Sequence, residues 1–201
     1  DLVALGTVAD VVPLDANNRI LVAQGIQRIR AGHTRPGIQA LLEIANRNQQ
    51  QLVASDFGFA LGPRINAAGR LDDMSFGINC LLATDLSQAR MMAVELDDLN
   101  KARREIEQGI QHEAEKVMAS LNFSEAKLPN AIALYQSNWH QGVIGIVAGR
   151  LKDKFHRPSI VFAKGEDPSS TEIKGSARSI PGLHIRDLLE HIASQHPGII
   201  H

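Results

Sequence analysis

The stretch AIALYQSNWHQGVIGIVAGRLKDKF, residues 131–155, decides the fold class. It opens on a short apolar run, AIALY, and crosses the polar segment Gln136-Ser137-Asn138-Trp139-His140-Gln141. It then continues with apolar residues at helical spacing. A strand that leads into a helix needs a sheet for that helix to cover. Downstream, PSIVFA (158–163) and TEIKGSARSI (171–180) read as two further strands joined by a polar hairpin-like turn at 166–170, and residues 183–194 read as a closing helix. Strand, helix, strand, strand, helix within residues 123–201 predicts a small α/β lobe with a mixed sheet.

Working back toward the start, residues 85–121 change character. Ala89, Ala93, Leu96, Leu99, Ile106, Ile110, Ala114, Val117 and Leu121 recur at helical spacings, and Asp85 and Gln88 are spaced as a variant capping box. The pattern predicts one long helix over 85–122, about 55 Å at 1.5 Å per residue, charged on its outer face and suited to connect two lobes. Gly109 is its weak point. Before it, LVALGTVADVVPL (2–14) reads as a short buried strand interrupted by Gly6 and closed by Pro13. Asn17 and Asn18 are placed to cap a helix carrying Ile20, Leu21, Ala23, Ile26 and Ile29, and a second helix follows Pro36. FGFALGPRINAAGRLDDMSFG (57–77) reads as a glycine-rich loop.

With 44% hydrophobic and 21% charged residues, disordered, collagen-like and disulfide-stapled classes are excluded, and 4% aromatic content makes the cores aliphatic. A formal net charge of -1 announces no global field for nucleic acid or membrane, so any anion site is local. Residues 1–84 hold 7 Arg and no Lys, which suits either bidentate phosphate contact or a solvated surface. Cys80, the only cysteine, lies in an apolar run and reads as a small buried thiol in a reducing compartment. No stretch approaches the roughly 18 apolar residues of a membrane span. The opening DLVALGTVAD lacks the basic start of a signal peptide, and without an initiator Met the chain reads as an excised piece of a soluble, cytoplasmic protein.

Four segments could carry chemistry. Asp10, the single charge in its apolar run, needs a metal, a cation or backbone donors to offset burial. In GPRINAAGRLDD, Arg64 and Arg70 flank a small-residue run with Asn66; they could clamp a phosphodiester or pair with Asp72 and Asp73. WHQGVIGIVAGRL sets Trp139 and His140 before a helix start with Gly142, Gly145 and Gly149, where free N–H groups favour an anion and small residues equally favour close packing. In KGSARS, which includes Gly175, the period of two puts Ser176 and Arg178 on one side of a strand, as a phosphate pocket or as plain surface. His184, His191, His196 and His201 form no evident ligand set.

Taken in order, LGTVADVVPL, GPRINAAGRLDD, WHQGVIGIVAGRL and GSARSIPG resemble the DHH phosphoesterase family, in its single-strand-specific 5′-exonuclease branch. The resemblance covers essentially the whole chain. It implies an α/β protein: the C-terminal part of a DHH lobe over 1–84, a connector helix over 85–122, and an incomplete DHH-associated substrate-binding lobe over 123–201. By the family's pattern Asp10 would be a catalytic metal ligand for Mn2+ or Mg2+. Arg64, Asn66 and Arg70 would line the DNA path, Trp139 and the catalytic His140 would face the cleft, and Gly175, Ser176 and Arg178 would hold the 5′-phosphate. The implied activity is metal-dependent 5′-to-3′ hydrolysis of single-stranded DNA in repair and recombination, with helicase or single-strand-binding protein partners and no membrane. Two metals would activate a water and stabilise charge on the phosphoryl oxygens. The alternatives are a DHH phosphodiesterase for short oligonucleotides or pyrophosphate, or a non-catalytic single-strand or phosphate-binding module. The family's upstream Asp-x-Asp and Asp-His-His segments, its downstream glycine-glycine-histidine loop and its OB-fold are absent from these 201 residues. The expectation is therefore a chain that neither holds the metal pair nor hydrolyses DNA alone.

Overall fold

The computed structural model describes residues 1–120, 129–165 and 171–200. Leu121, the Lys127-Leu128 end of the predicted polar turn, the 166–170 turn and His201 lie outside them. The chain divides into two compact units, Asp1–Arg104 and Glu105–His201. This boundary falls inside the long helix rather than at either of its ends.

The first unit is helical among its described residues: α1 (Leu2–Ala9), α2 (Ala16–Arg30), α3 (Pro36–Ile44), a 3-10 turn (Gln49–Gln51), α4 (Ala54–Asp56), a π turn (Phe57–Leu61), α5 (Gly62–Leu71) and α6 (Met74–Leu82), then the start of α7 (Leu86–Ser120). The strand predicted over 2–14 is thus corrected to α1 and a turn. An apolar run this short has no periodicity that separates a buried strand from a buried helix. Asp1 decides it locally by capping α1, with Oδ1 accepting from the Leu2 N–H at 2.7 Å, while Ala4 and Leu5 enter the core. The helix ends in a Schellman arrangement, in which the Val12 N–H donates to the Thr7 carbonyl and the Val11 N–H to the Val8 carbonyl. Val11 therefore takes φ 54, a left-handed conformation that costs a β-branched residue strain.

The predicted glycine-rich loop over 57–77 is likewise corrected: it is α5, the π turn before it and the start of α6. Its small residues serve helix packing, since a Cβ at Gly62 would lie 3.3 Å from Ala9 Cβ of α1 and 3.0 Å from the Phe57 carbonyl. Pro63 has no N–H to give to the preceding turn, and the Gly62 N–H reaches five residues back to Phe57 O, which widens that turn. The α2 cap is Asp15, accepting from the Asn18 N–H at 2.8 Å, rather than Asn17 or Asn18. The core is aliphatic apart from Phe57, with Ile29, Ile38, Leu41, Leu42, Leu52, Leu61 and Leu96 fully buried. Cys80 is buried among them, and desolvation pushes its thiol up to about 11, so it is an inert packing residue.

The long helix forms as its spacing predicts, with Asp85 accepting from the Gln88 N–H at 2.7 Å. Its first half buries Ala89, Ala93 and Leu96, and its second half buries Ile110, Ala114 and Met118. In the second unit β1 (Ile132–Tyr135), α8 (Ile144–Phe155), β2 (Ser159–Lys164), β3 (Ile173–Arg178) and α9 (Ile185–Gln195) follow. The sheet order is β1-β2-β3, parallel between β1 and β2 and antiparallel between β2 and β3. This is the mixed sheet read from the sequence, and with the helices it makes the chain α/β. Leu134, Val161 and Ser176 share one face by register, and Arg178 lies two residues along it. That face receives α8.

Candidate functional site

The sharpest geometry lies where α8 begins. No side chain caps its amino end. A Cβ built at Gly145 would lie 2.8 Å from Ser176 Oγ and 3.0 Å from Arg178 Nη2, so only glycine lets the first turn of α8 rest against those two groups. The Arg178 Nη1 group donates to Ser176 Oγ at 3.2 Å and to the Ala177 carbonyl at 2.8 Å. A hydroxyl, a guanidinium and an uncapped helix start thus meet at one place on the surface. That combination of donors and dipole suits a dianionic phosphate. Gly175, expected beside them as a substrate contact, is placed by packing: its missing side chain is filled by the Phe162 ring, whose Cε1 would stand 2.6 Å from an added Cβ.

The turn before α8 is organised by Trp139 and His140. The expectation of a cleft-facing Trp139 is corrected, since its residue is only 4% exposed and its indole Nε1–H donates to Glu113 Oε2 on α7 at 2.7 Å. The indole buries its apolar body and finds an acceptor for its one polar group, so Trp139 props the turn. His140 is half-buried, and its Nδ1 accepts from the Gly142 N–H at 3.1 Å. The neutral ring then carries its proton on Nε2, which leaves a donor for an anion. On α7 and α8, Arg150 pairs with Glu107 and Gln111, and Lys154 with Glu115 at 2.9 Å, which holds Glu115 below the usual carboxylate range, first through the Lys154 hydrogen bond.

In the first unit Arg64, Asn66 and Arg70 all lie on α5. Asn66 and Arg70 are exposed on its outer side, together with Phe59 of the π turn, which is 80% exposed. Arg64 is turned inward: its Nε donates to Asp97 Oδ1 of α7 at 2.8 Å and its Nη1 to the Ala60 carbonyl at 2.7 Å. For Arg64 the pairing considered from sequence, with Asp72 and Asp73, gives way to a partner 33 residues downstream; Asp73 caps α6 and Asp72 ends α5. Burial works to raise the Asp97 pKa, but the Lys101 hydrogen bond and the charges of Arg64 and Lys101 outweigh it and hold the carboxyl below its ordinary value. Asp97 escaped the sequence reading. The signal was there: it sits four residues after Ala93 on the apolar stripe of α7, where an acid needs a partner.

Asp10 is the exposed C-cap of α1, so the buried-strand carboxylate expected from the sequence is corrected. Its solvent exposure removes the desolvation cost that called for a compensating ion. Among the described residues no group of three or more His, Cys, Asp or Glu is arranged to hold a metal ion. The described residues therefore do not by themselves make up a metal centre, and Asp10 belongs to no such group among them. Among the described residues, no helix is long and apolar enough to cross a membrane.

Residues 128–199 match the DHHA1 domain. Over 200 residues the chain is 62% identical to the single-stranded-DNA-specific exonuclease RecJ of Dickeya dadantii, covering 100% of this chain and 34% of that protein. Its fold matches the crystal structure of RecJ in complex with Mg2+ from Thermus thermophilus with a TM-score of 0.79 and 32% identity, over 95% of this chain and 28% of that one. It also matches a structure of exonuclease RecJ bound to manganese with a TM-score of 0.76 and 32% identity, over 94% of this chain and 44% of that one. The chain spans about a third of the length of the curated relatives it matches. It belongs to the RecJ family, as a segment that carries the DHHA1 domain.

Proposed function

We propose that this chain is the substrate-gripping and connecting part of a 5′-to-3′ exonuclease that hydrolyses single-stranded DNA in the cytoplasm during repair and recombination. Ser176, Arg178 and the amino end of α8 hold the 5′-terminal phosphate, with the Nε2–H of His140 as a further donor. Asn66 and Arg70 meet the strand from the exposed side of α5, and Arg64 meets it through the N–H groups that Asp97 and Ala60 leave over. The observation that carries this reading is the closeness of Gly145 to Ser176 and Arg178, which sets a guanidinium and a hydroxyl against an uncapped helix start. A terminal phosphate carries more charge than an internal phosphodiester, so such a grip distinguishes a strand end from its interior. Two relatives matched in fold are RecJ structures with Mg2+ and with manganese, which supports a divalent metal in the complete enzyme. Asp10 would supply one of its ligands, and the others belong to segments outside these 201 residues.

Degradation of an end-labelled, 5′-phosphorylated single strand in manganese, with a chelator control, tests the assignment. The full-length protein is expected to degrade the strand, and both its Asp10→Ala variant and the 201-residue chain to leave it intact. Chelator-sensitive cleavage by the chain alone would show that it holds a complete metal centre. Binding without turnover by the full-length protein would make it a single-strand-binding module instead.

A further inference from the structure

We propose that Asp97 is a positioning residue for Arg64, fixing its guanidinium so that the remaining N–H groups meet one internal phosphate of the single strand. This rests on the reading of Arg64 as a strand contact. A guanidinium has five N–H donors in a planar fork. Two of them are taken up by Asp97 Oδ1 at 2.8 Å and the Ala60 carbonyl at 2.7 Å, so three remain. The two anchors lie on different elements, α7 and the π turn, and together they fix both the position and the plane of the group. Both side chains are shielded, at 13% exposure for Arg64 and 10% for Asp97, so this contact is not a loose surface pair.

The carboxylate of Asp97 is itself held in place. It divides its oxygens, giving Oδ1 to Arg64 and Oδ2 to Lys101 Nζ at 2.9 Å, and Lys101 also meets Asp98 Oδ1 at 2.9 Å. Lys101 is thus shared between two carboxylates, and Asp97 Oδ1 is left to orient Arg64. An arginine held in this way loses less side-chain freedom when it meets a phosphate than one free in solvent, and that is the benefit of a preset contact.

The sign of one substitution separates positioning from bulk electrostatics. Removing a carboxylate from a DNA-binding surface should tighten binding by charge alone, whereas loss of positioning weakens it. The experiment is fluorescence anisotropy of the 201-residue chain with a 5′-hydroxyl single-stranded oligonucleotide across a salt series. Arg64→Met, Asp97→Asn, Asp97→Glu and the Arg64→Met/Asp97→Asn double variant are measured alongside, each with a thermal melt. Arg64→Met is expected to lower the salt slope by about 0.7, the value of one single-strand phosphate contact. Asp97→Asn is expected to weaken binding roughly three- to tenfold, the range for the net loss of one hydrogen bond, and to weaken it no further when Arg64 is already Met. Asp97→Glu keeps the charge and moves the carboxylate by one methylene, so it is expected to weaken binding as well and covers the case in which Asn does not fold. Unchanged or tighter binding by the folded Asp97 variants, or equal weakening with and without Arg64, would overturn the positioning role. An Arg64→Met chain with unaltered affinity and salt slope would instead remove the strand contact on which the role rests.

Discussion

Arg64 and Arg178 sit in glycine-containing segments of similar composition, yet the two units treat them in opposite ways. Arg64 is shielded and tied to the buried carboxylate of Asp97. Arg178 is exposed, bonded to a hydroxyl and a carbonyl, and no carboxylate among the described residues is paired with it. A guanidinium already facing an acid can be aimed but has part of its field cancelled. One facing only neutral acceptors beside a helix start keeps its full charge for an anion. On the proposed function, the difference would give a terminal phosphate to the second unit and passage of the strand to the first.

The comparison breaks most readily at its supports. Trp139→Ala should destabilise the second unit by about 3–5 kcal/mol, the usual cost of removing a buried indole, while Trp139→Phe should recover most of that apart from the Glu113 bond. Urea unfolding checks this, and a near-neutral Trp139→Ala would show that the ring is not the prop described. Next in size, Gly145→Ala forces a methyl to within 3 Å of Ser176 Oγ and should reduce any preference for a 5′-phosphate about tenfold, the equivalent of one charged hydrogen bond. Internal strand binding should stay the same, which isolates the end grip.

Two smaller effects sharpen the account of the first unit. Val11→Gly should raise its stability by about 1 kcal/mol, since glycine adopts the left-handed conformation without the strain valine carries. A lower melting temperature would show that the Schellman ending of α1 is not what sets Val11. The pH effect is absent at neutrality. The native Asp97 pKa lies below its unfolded value, so its stabilising contribution is complete above the ordinary carboxylate range and is lost as the pH falls through the lower native value. Acid titration followed by circular dichroism should show a shallower decline for Asp97→Asn. Parallel curves would mean that Asp97 titrates alike in both states.

The second unit was legible in the sequence because its strands are short, bounded by turns and separated by a helix with its own period. Ser176 and Arg178 could be placed on one face by the strand period alone. What the period could not supply was Gly145, since contact between a helix and a strand 31 residues later depends on tertiary packing. The first unit was less legible for a definite reason. Residues 2–14 and 57–77 are rich in apolar and small residues that suit a buried helix as well as a strand or a loop, and only the Asp1 cap and the packing of Gly62 on Ala9 decide between them. Trp139 illustrates the same limit, because an indole beside a histidine in a polar turn carries no mark of the Glu113 that receives it.

The central claim is that the α8 start, Ser176 and Arg178 form a grip for a 5′-terminal phosphate, and the most direct measurement compares one single-stranded oligonucleotide with a 5′-phosphate and with a 5′-hydroxyl. Titrated against this chain, the phosphorylated strand should bind about tenfold more tightly, and Arg178→Ala should bring the two affinities together by weakening the phosphorylated strand alone. Equal affinities for the two strands in the unsubstituted chain would contradict the account.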